Sequence, residues 1–197
     1  MLISPFLQSV NEAPDAACLY RLNGNTWTGF SRQAVLEAAL KLCGQWKNDG
    51  LNPGDRILLL MENRPEWAVT AIASGLYGLV LVPAYTTHRP HEIEYLLERS
   101  EASAVMTSNG ELFARIQALS IAASLPLYCA SNDEPSLFSQ IVGEPFQPRS
   151  EDLFEHDRLY ALIATSGTNG LPKLVELTHQ NLMSNVTGIL TILRDAH

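Results

Sequence analysis

Nine consecutive residues, Thr165-Ser166-Gly167-Thr168-Asn169-Gly170-Leu171-Pro172-Lys173, hold the densest set of phosphate-binding groups in the chain. Two glycines let the backbone curl until successive N–H groups converge on an anion. The hydroxyls of Thr165, Ser166 and Thr168 add donors that rotate toward its oxygens. Lys173 brings a mobile positive charge on a long stem. Pro172 restricts the loop just before that lysine and lowers the entropy lost on closing over a ligand. The Walker loop needs Gly-Lys-Ser/Thr, whereas here Pro172 precedes the lysine and Leu174 follows it. Gly167-x-x-Gly170 alone would suit any strand-to-helix turn; the specificity lies in the longer run from Thr165 to Leu182.

Other clusters point less far. His88 and His91 are three apart, with Glu92 and Glu94 close by, a set that could bind zinc. Polar residues opening a helix after Pro90 explain it without metal. Glu151, Asp152, Glu155 and Asp157 read as a solvated face, and His179 beside Thr178 as part of a helix cap. No Ser/His/Asp or Cys/His arrangement follows from spacing, so no nucleophile and no catalytic residue is assigned.

The elements that must position the loop alternate between helix and strand. Ser31 can cap a helix whose Val35, Ala39, Leu42 and Trp46 share one face. Gly50 stops it, and Asn52-Pro53-Gly54-Asp55 reads as a tight turn. Ile57–Met61 is apolar on both faces, as a strand covered on both sides should be. Asn63 and Glu66 suggest a capping box for the next helix. The 19 uncharged residues from Trp67 to Tyr85 approach membrane-spanning length. A helix, a stop at Gly78 and a buried strand over Leu79–Val82 account for them better. A helix follows Thr87 with Ile93, Leu96 and Leu97 on one face. Then come a strand over Ala104–Met106, a helix with Leu112, Phe113, Ile116 and Leu119, and a strand over Leu125–Cys129. Residues 131–158 break the pattern with three prolines and seven acidic residues. Periodicity resumes in the strand Leu159–Ala164, then the loop, a short strand Leu174–Leu177 and a helix capped by Thr178. Repeated crossovers of this kind predict an α/β fold, a mainly parallel sheet with helices on both faces. The division expected is residues 1–130 as an α/β subdomain, 131–158 as an acidic, proline-containing linker, and 159–197 as the strand, loop and helix.

The balance of the 197 residues narrows the partners. Apolar residues make up 46% and charged residues 17%, which excludes disorder for most of the length. A net charge of −8, with lysine only at positions 41, 47 and 173, argues against nucleic acid. Cys18, Cys43 and Cys129 are odd in number and far apart, as suits a reducing cytosol. The start, Met1-Leu2-Ile3-Ser4-Pro5, lacks the basic residues and apolar run of a signal peptide.

The run Thr165-Ser166-Gly167-Thr168-x-Gly170-x-Pro172-Lys173-x-Val175-x-x-Thr178-His179-x-Asn181-Leu182 resembles the AMP-binding loop of the adenylate-forming superfamily. The likeness extends upstream in family order through Thr26-Trp27-Thr28, Pro53-Gly54-Asp55-Arg56 and the region from Gly75 to Pro83. Glu62-Asn63-Arg64-Pro65-Glu66-Trp67 and Val82-Pro83-Ala84-Tyr85 look most like long-chain fatty acyl-CoA ligases. Three positions depart from the pattern. Asn169 replaces a hydroxyl residue, Ala164 stands where an aromatic is frequent, and Leu174 replaces a glycine, adding bulk and a φ restriction beside the loop.

The resemblance implies that Thr165, Ser166, Gly167, Thr168, Asn169, Gly170 and Lys173 hold the phosphates of ATP while a carboxylate attacks the α-phosphorus. An acyl-adenylate and pyrophosphate form, and coenzyme A displaces AMP. The acid expected is a fatty acid. Magnesium is implied too, through a glutamate in a later family motif with no matching position here. The chain then reads as the front part of a cytoplasmic ligase, at most peripheral to the inner membrane face. It is expected to be inactive alone and to self-associate through uncovered apolar surface. Two other readings are an enzyme that loads a carrier-protein thiol, and a short chain that binds nucleotide or a partner without catalysis.

Overall fold

The computed structural model describes residues 2–130, 144–148, 157–165 and 172–195. Most of the expected linker, residues 131–143 and 149–156, lies outside them. Helix α1 (Ser4–Glu12) leads into an antiparallel hairpin of β1 (Ala17–Asn23) and β2 (Thr26–Ser31). A larger unit follows in the order α2 (Arg32–Asn48), β3 (Arg56–Leu60), α3 (Pro65–Tyr77), β4 (Val80–Ala84), α4 (Pro90–Ser100), β5 (Ala104–Thr107), α5 (Gly110–Gln117) and β6 (Leu127–Cys129). The described chain ends with β7 (Leu159–Thr165), β8 (Lys173–Thr178) and α6 (His179–Asp195).

Six strands form one sheet in the order β6-β5-β3-β4-β7-β8. Every neighbouring pair is parallel except β7 and β8, which are antiparallel. The double-faced apolar strand explains why helices cover both sides. Ile57, Leu59, Leu81 and Met106 point into a core with Val35, Leu42 and Trp46 of α2 and Val69, Ala73 and Leu76 of α3. Leu58, Leu60, Val82 and Val105 point the other way, onto Ile93, Leu96 and Leu97 of α4 and Leu112 and Ile116 of α5. This is the expected α/β architecture.

The punctuation residues act as their chemistry demands. Ser31 accepts a hydrogen bond from the Ala34 N–H at 3.1 Å and caps α2. Asp55 N–H donates to the Asn52 carbonyl at 3.0 Å, closing the turn in which Gly54 has φ +95°. Gly78 ends α3 in the left-handed region, so the uncharged run divides into helix and strand. No helix among the described residues is long and apolar enough to cross a membrane.

The start of α3 corrects the sequence reading. Arg64, not Asn63, is the N-cap residue, and no side chain caps the helix. Pro65 takes the first turn, where a missing N–H costs nothing. The Glu66 carboxylate, expected to fold back on its own helix, instead accepts hydrogen bonds from Arg64 and Arg21. Helix α4 begins at Pro90, after Thr87 as expected.

Candidate functional site

Strand β7 runs parallel to β4 and delivers Thr165 to the carboxyl end of the sheet, where open α/β sheets bind ligands. It returns as β8, with Thr165 paired opposite Lys173. The two strands thus form an antiparallel hairpin. Of the predicted phosphate ligands, Thr165 and Lys173 lie on the described chain and are brought together. Ser166, Gly167, Thr168, Asn169 and Gly170 lie outside the described residues.

The two ends of the loop are tied. The Thr165 hydroxyl donates to the Lys173 carbonyl at 3.3 Å. Tyr95 of α4 donates its hydroxyl to the Pro172 carbonyl at 2.8 Å. Lys173 is exposed and has no acidic partner among the described residues, so its charge is available to an anion. Leu174 does not bring the restriction expected of it. It sits in β8 opposite Ala164 with its side chain packed onto the α4 side of the sheet. Among the described residues only Glu101 combines a side chain with positive φ.

After β8, Thr178 caps α6 as expected. Its hydroxyl accepts from the Asn181 N–H at 3.2 Å, and the Asn181 side-chain oxygen accepts from the Thr178 N–H at 2.9 Å. This reciprocal pair fixes the turn out of the hairpin. His179 is buried, with its ring 4.9 Å from that of Tyr160. The Tyr160 hydroxyl donates to the Ala71 carbonyl at 2.9 Å, and burial pushes its pKa up. His179 thus holds α6 against β7.

Beside the loop is a crevice of about 230 Å³, lined by Met61, Asn63, Trp67, Tyr85, His88 and Ala164 among others. It opens where the chain leaves β3 toward one face of the sheet and β4 toward the other, the switch point at which such sheets place ligands. Its walls are mostly apolar and aromatic, with Asn63 and His88 as polar groups, and suit an uncharged portion of a ligand better than phosphate. The small side chain of Ala164 leaves this space open. His88 faces the Tyr85 ring, 5.5 Å between centroids, and its Nδ1 lies 3.6 Å from the Glu92 carboxylate. The Glu92 carboxyl is held below the usual range, chiefly by the Arg89 N–H that donates to it. Arg115 of α5 donates to the Thr86 and His88 carbonyls at 3.0 and 2.7 Å and holds this segment in place. A larger cleft, about 700 Å³, lies at the opposite end of the sheet among Asn52, Pro53, Tyr77 and Arg158, away from the loop.

Sequence reasoning missed Tyr95, Tyr85 and Trp67 as parts of the site. The placement of Trp67 and Tyr85 at either end of an uncharged run was the available signal for two of them. Among the described residues no group of three His, Cys, Asp or Glu could hold a metal ion.

The mainly parallel sheet, covered by helices on both faces and edged by the β7–β8 hairpin that carries Thr165 and Lys173, defines an α/β domain. The chain belongs to the AMP-binding enzyme family, whose model matches residues 6–196. It is 34% identical over 155 residues to the fatty acyl-CoA synthetase A of Dictyostelium discoideum, covering 71% of this chain and 23% of that protein. The chain spans about a quarter of the length of such curated relatives. Its fold is that of VinN in complex with 3-methylaspartate, with a TM-score of 0.82 and 18% identity over 98% of this chain and 51% of that one. It also matches a fatty acyl-adenylate ligase from L. pneumophila in complex with acyl adenylate and pyrophosphate. There the TM-score is 0.76 at 18% identity, covering 96% of this chain and 32% of that one.

Proposed function

We propose that this chain is the N-terminal portion of an AMP-forming acid–CoA ligase acting on a fatty acid. A carboxylate oxygen attacks the α-phosphorus of ATP, the bond to the β-phosphate oxygen breaks, and pyrophosphate leaves. The thiolate of coenzyme A then attacks the acyl carbon and AMP departs. In this reading the hairpin from Thr165 to Lys173 grips the β- and γ-phosphates. It positions them and offsets their charge, which is most of what such chemistry asks of a protein. The observation that carries the proposal is the β7–β8 hairpin itself, with Lys173 exposed opposite Thr165 at the carboxyl end of the sheet. Family membership and the likeness to a fatty acyl-CoA synthetase support the acid and the acceptor. We place the enzyme in the cytosol or at the inner membrane face, and we take the 197-residue chain alone to bind without turnover.

The test is ATP–pyrophosphate exchange by the ligase carrying Lys173→Ala. Loss of a charge that faces the leaving phosphates should lower the exchange rate about a hundredfold. Unchanged exchange would show that the loop does not grip phosphate. Graded fatty acids and short dicarboxylates identify the acid. Coenzyme A and a carrier-protein thiol, assayed side by side, decide the acceptor. We further propose that the isolated chain self-associates through α6, whose outer face is apolar.

A further inference from the structure

Pro172 and Lys173 are held by a helix far away in sequence. The Tyr95 hydroxyl reaches the Pro172 carbonyl at 2.8 Å from 77 positions upstream. The peptide whose oxygen it grips is the one that leads directly into Lys173. Tyr95 is half-buried, and its ring packs with Leu174 against the cluster formed by Leu58, Leu162 and the apolar face of α4. The helix that carries it is fixed independently of the loop. Ile93, Leu96 and Leu97 anchor it in the core, Glu92 holds its first turn, and Arg115 clamps the segment before it. The hydroxyl is therefore a rigid post, and the loop end is what it steadies.

A phosphate loop works by having its donors in place before the ligand arrives, because ordering them afterwards subtracts from affinity. The hairpin register alone does not settle the rotation of the Pro172–Lys173 peptide, since Pro172 lies just before β8 and is not one of the paired residues. A hydrogen bond to that carbonyl does. We propose that Tyr95 is a positioning residue for phosphate binding, its hydroxyl fixing the Pro172–Lys173 peptide so that Lys173 is presented to the phosphates. This rests on the reading of the hairpin as the phosphate site. Tyr95 itself touches no ligand.

The experiment measures the affinity of the chain for ATP and for inorganic tripolyphosphate by calorimetry. It compares the wild type with Tyr95→Phe, Lys173→Ala and the double variant, with thermal melting of each. Tyr95→Phe removes only the hydroxyl and should weaken both ligands about three- to tenfold, as one lost hydrogen bond predicts. In the Lys173→Ala background the same change should have almost no further effect, because Tyr95 acts through that lysine. A lowered melting temperature with unchanged affinity would make the hydroxyl merely structural and overturn the proposal. Independent, additive losses from the two substitutions would overturn it as well. If Lys173→Ala binds as the wild type does, or the wild type binds neither ligand, the phosphate-site reading fails first and takes this inference with it.

Discussion

Glu66 is the most constrained charge in the described chain. It is 1% exposed and takes hydrogen bonds from Arg21 on β1 and, at 2.8 Å, from Arg64 at the head of α3. Arg64 also donates to the Ser108 carbonyl at 3.2 Å, and Arg21 lies 5.4 Å from the centre of the Phe30 ring. One carboxylate thus joins the hairpin, the start of α3 and the end of β5, next to the crevice. Burial pushes the Glu66 carboxyl up, but hydrogen bonds from Arg64 and Arg21 outweigh it and hold the pKa below the ordinary value. A depressed pKa stabilises the fold fully above the unfolded carboxyl value of about 4.3 and is lost as pH falls through the lower folded value. The urea midpoint of the wild type should therefore fall steeply below about pH 4, and that of Glu66→Gln less steeply. Equal slopes would remove Glu66 from the acid transition. Glu66→Ala leaves two guanidinium groups facing a buried gap and should cost about 3–5 kcal/mol at neutral pH. Thr165 and Lys173 were legible because their motif is contiguous. The ties that hold Glu66 and Pro172 join residues 45 and 77 positions apart, which no local pattern can reveal.

At the level of elements, Gly78 has two reasons to be glycine. Its φ is +92°, and an added Cβ would land on the Arg158 guanidinium, which donates to the Gly78 carbonyl at 3.1 Å. Gly50 has φ +82° but open space around its Cα. Gly50→Ala should therefore lose only the conformational term, about 1 kcal/mol, and Gly78→Ala about 2–3 kcal/mol. Equal losses in urea denaturation would show that Arg158 moves aside freely. Gly78, Gly50, Ser31 and Thr178 were all readable in the sequence, because caps and stops depend on one residue and its immediate backbone. The crossover strands were readable from their double-faced apolar runs. Helix α1 and the β1–β2 hairpin escaped notice for a physical reason. Tyr20, Leu22 and Trp27 are large, apolar and more than half exposed, so no polar alternation marks the outward face. The turn did carry a signal, Asn23-Gly24, with Gly24 at φ +57°.

At the scale of the whole molecule, the longest run of exposed apolar side chains among the described residues lies along α6. Strand β8 is the outer edge of the sheet, with Val175 42% exposed. Along α6, Val186, Ile189, Leu190, Ile192 and Leu193 are 39%, 59%, 47%, 70% and 53% exposed. Nothing from His179 to Leu193 carries an Asp, Glu, Lys or Arg that would repel a like surface. Lys173 and Glu176 guard the strand edge, which makes helix-to-helix contact the easier route. The −8 net charge opposes association at long range but is screened within about 8 Å at physiological salt. Hydrophobic contact across α6 should therefore win at high protein concentration. In sedimentation velocity the isolated chain should run as a 21.7 kDa monomer when dilute and gain mass as it is concentrated. Added salt should shift that gain to lower concentration, because it screens the repulsion and leaves the apolar term intact. Ile192→Asp, on the most exposed of these side chains, should shift it to higher concentration. A constant monomer mass throughout, unmoved by salt or by Ile192→Asp, would mean that this face does not pair with itself.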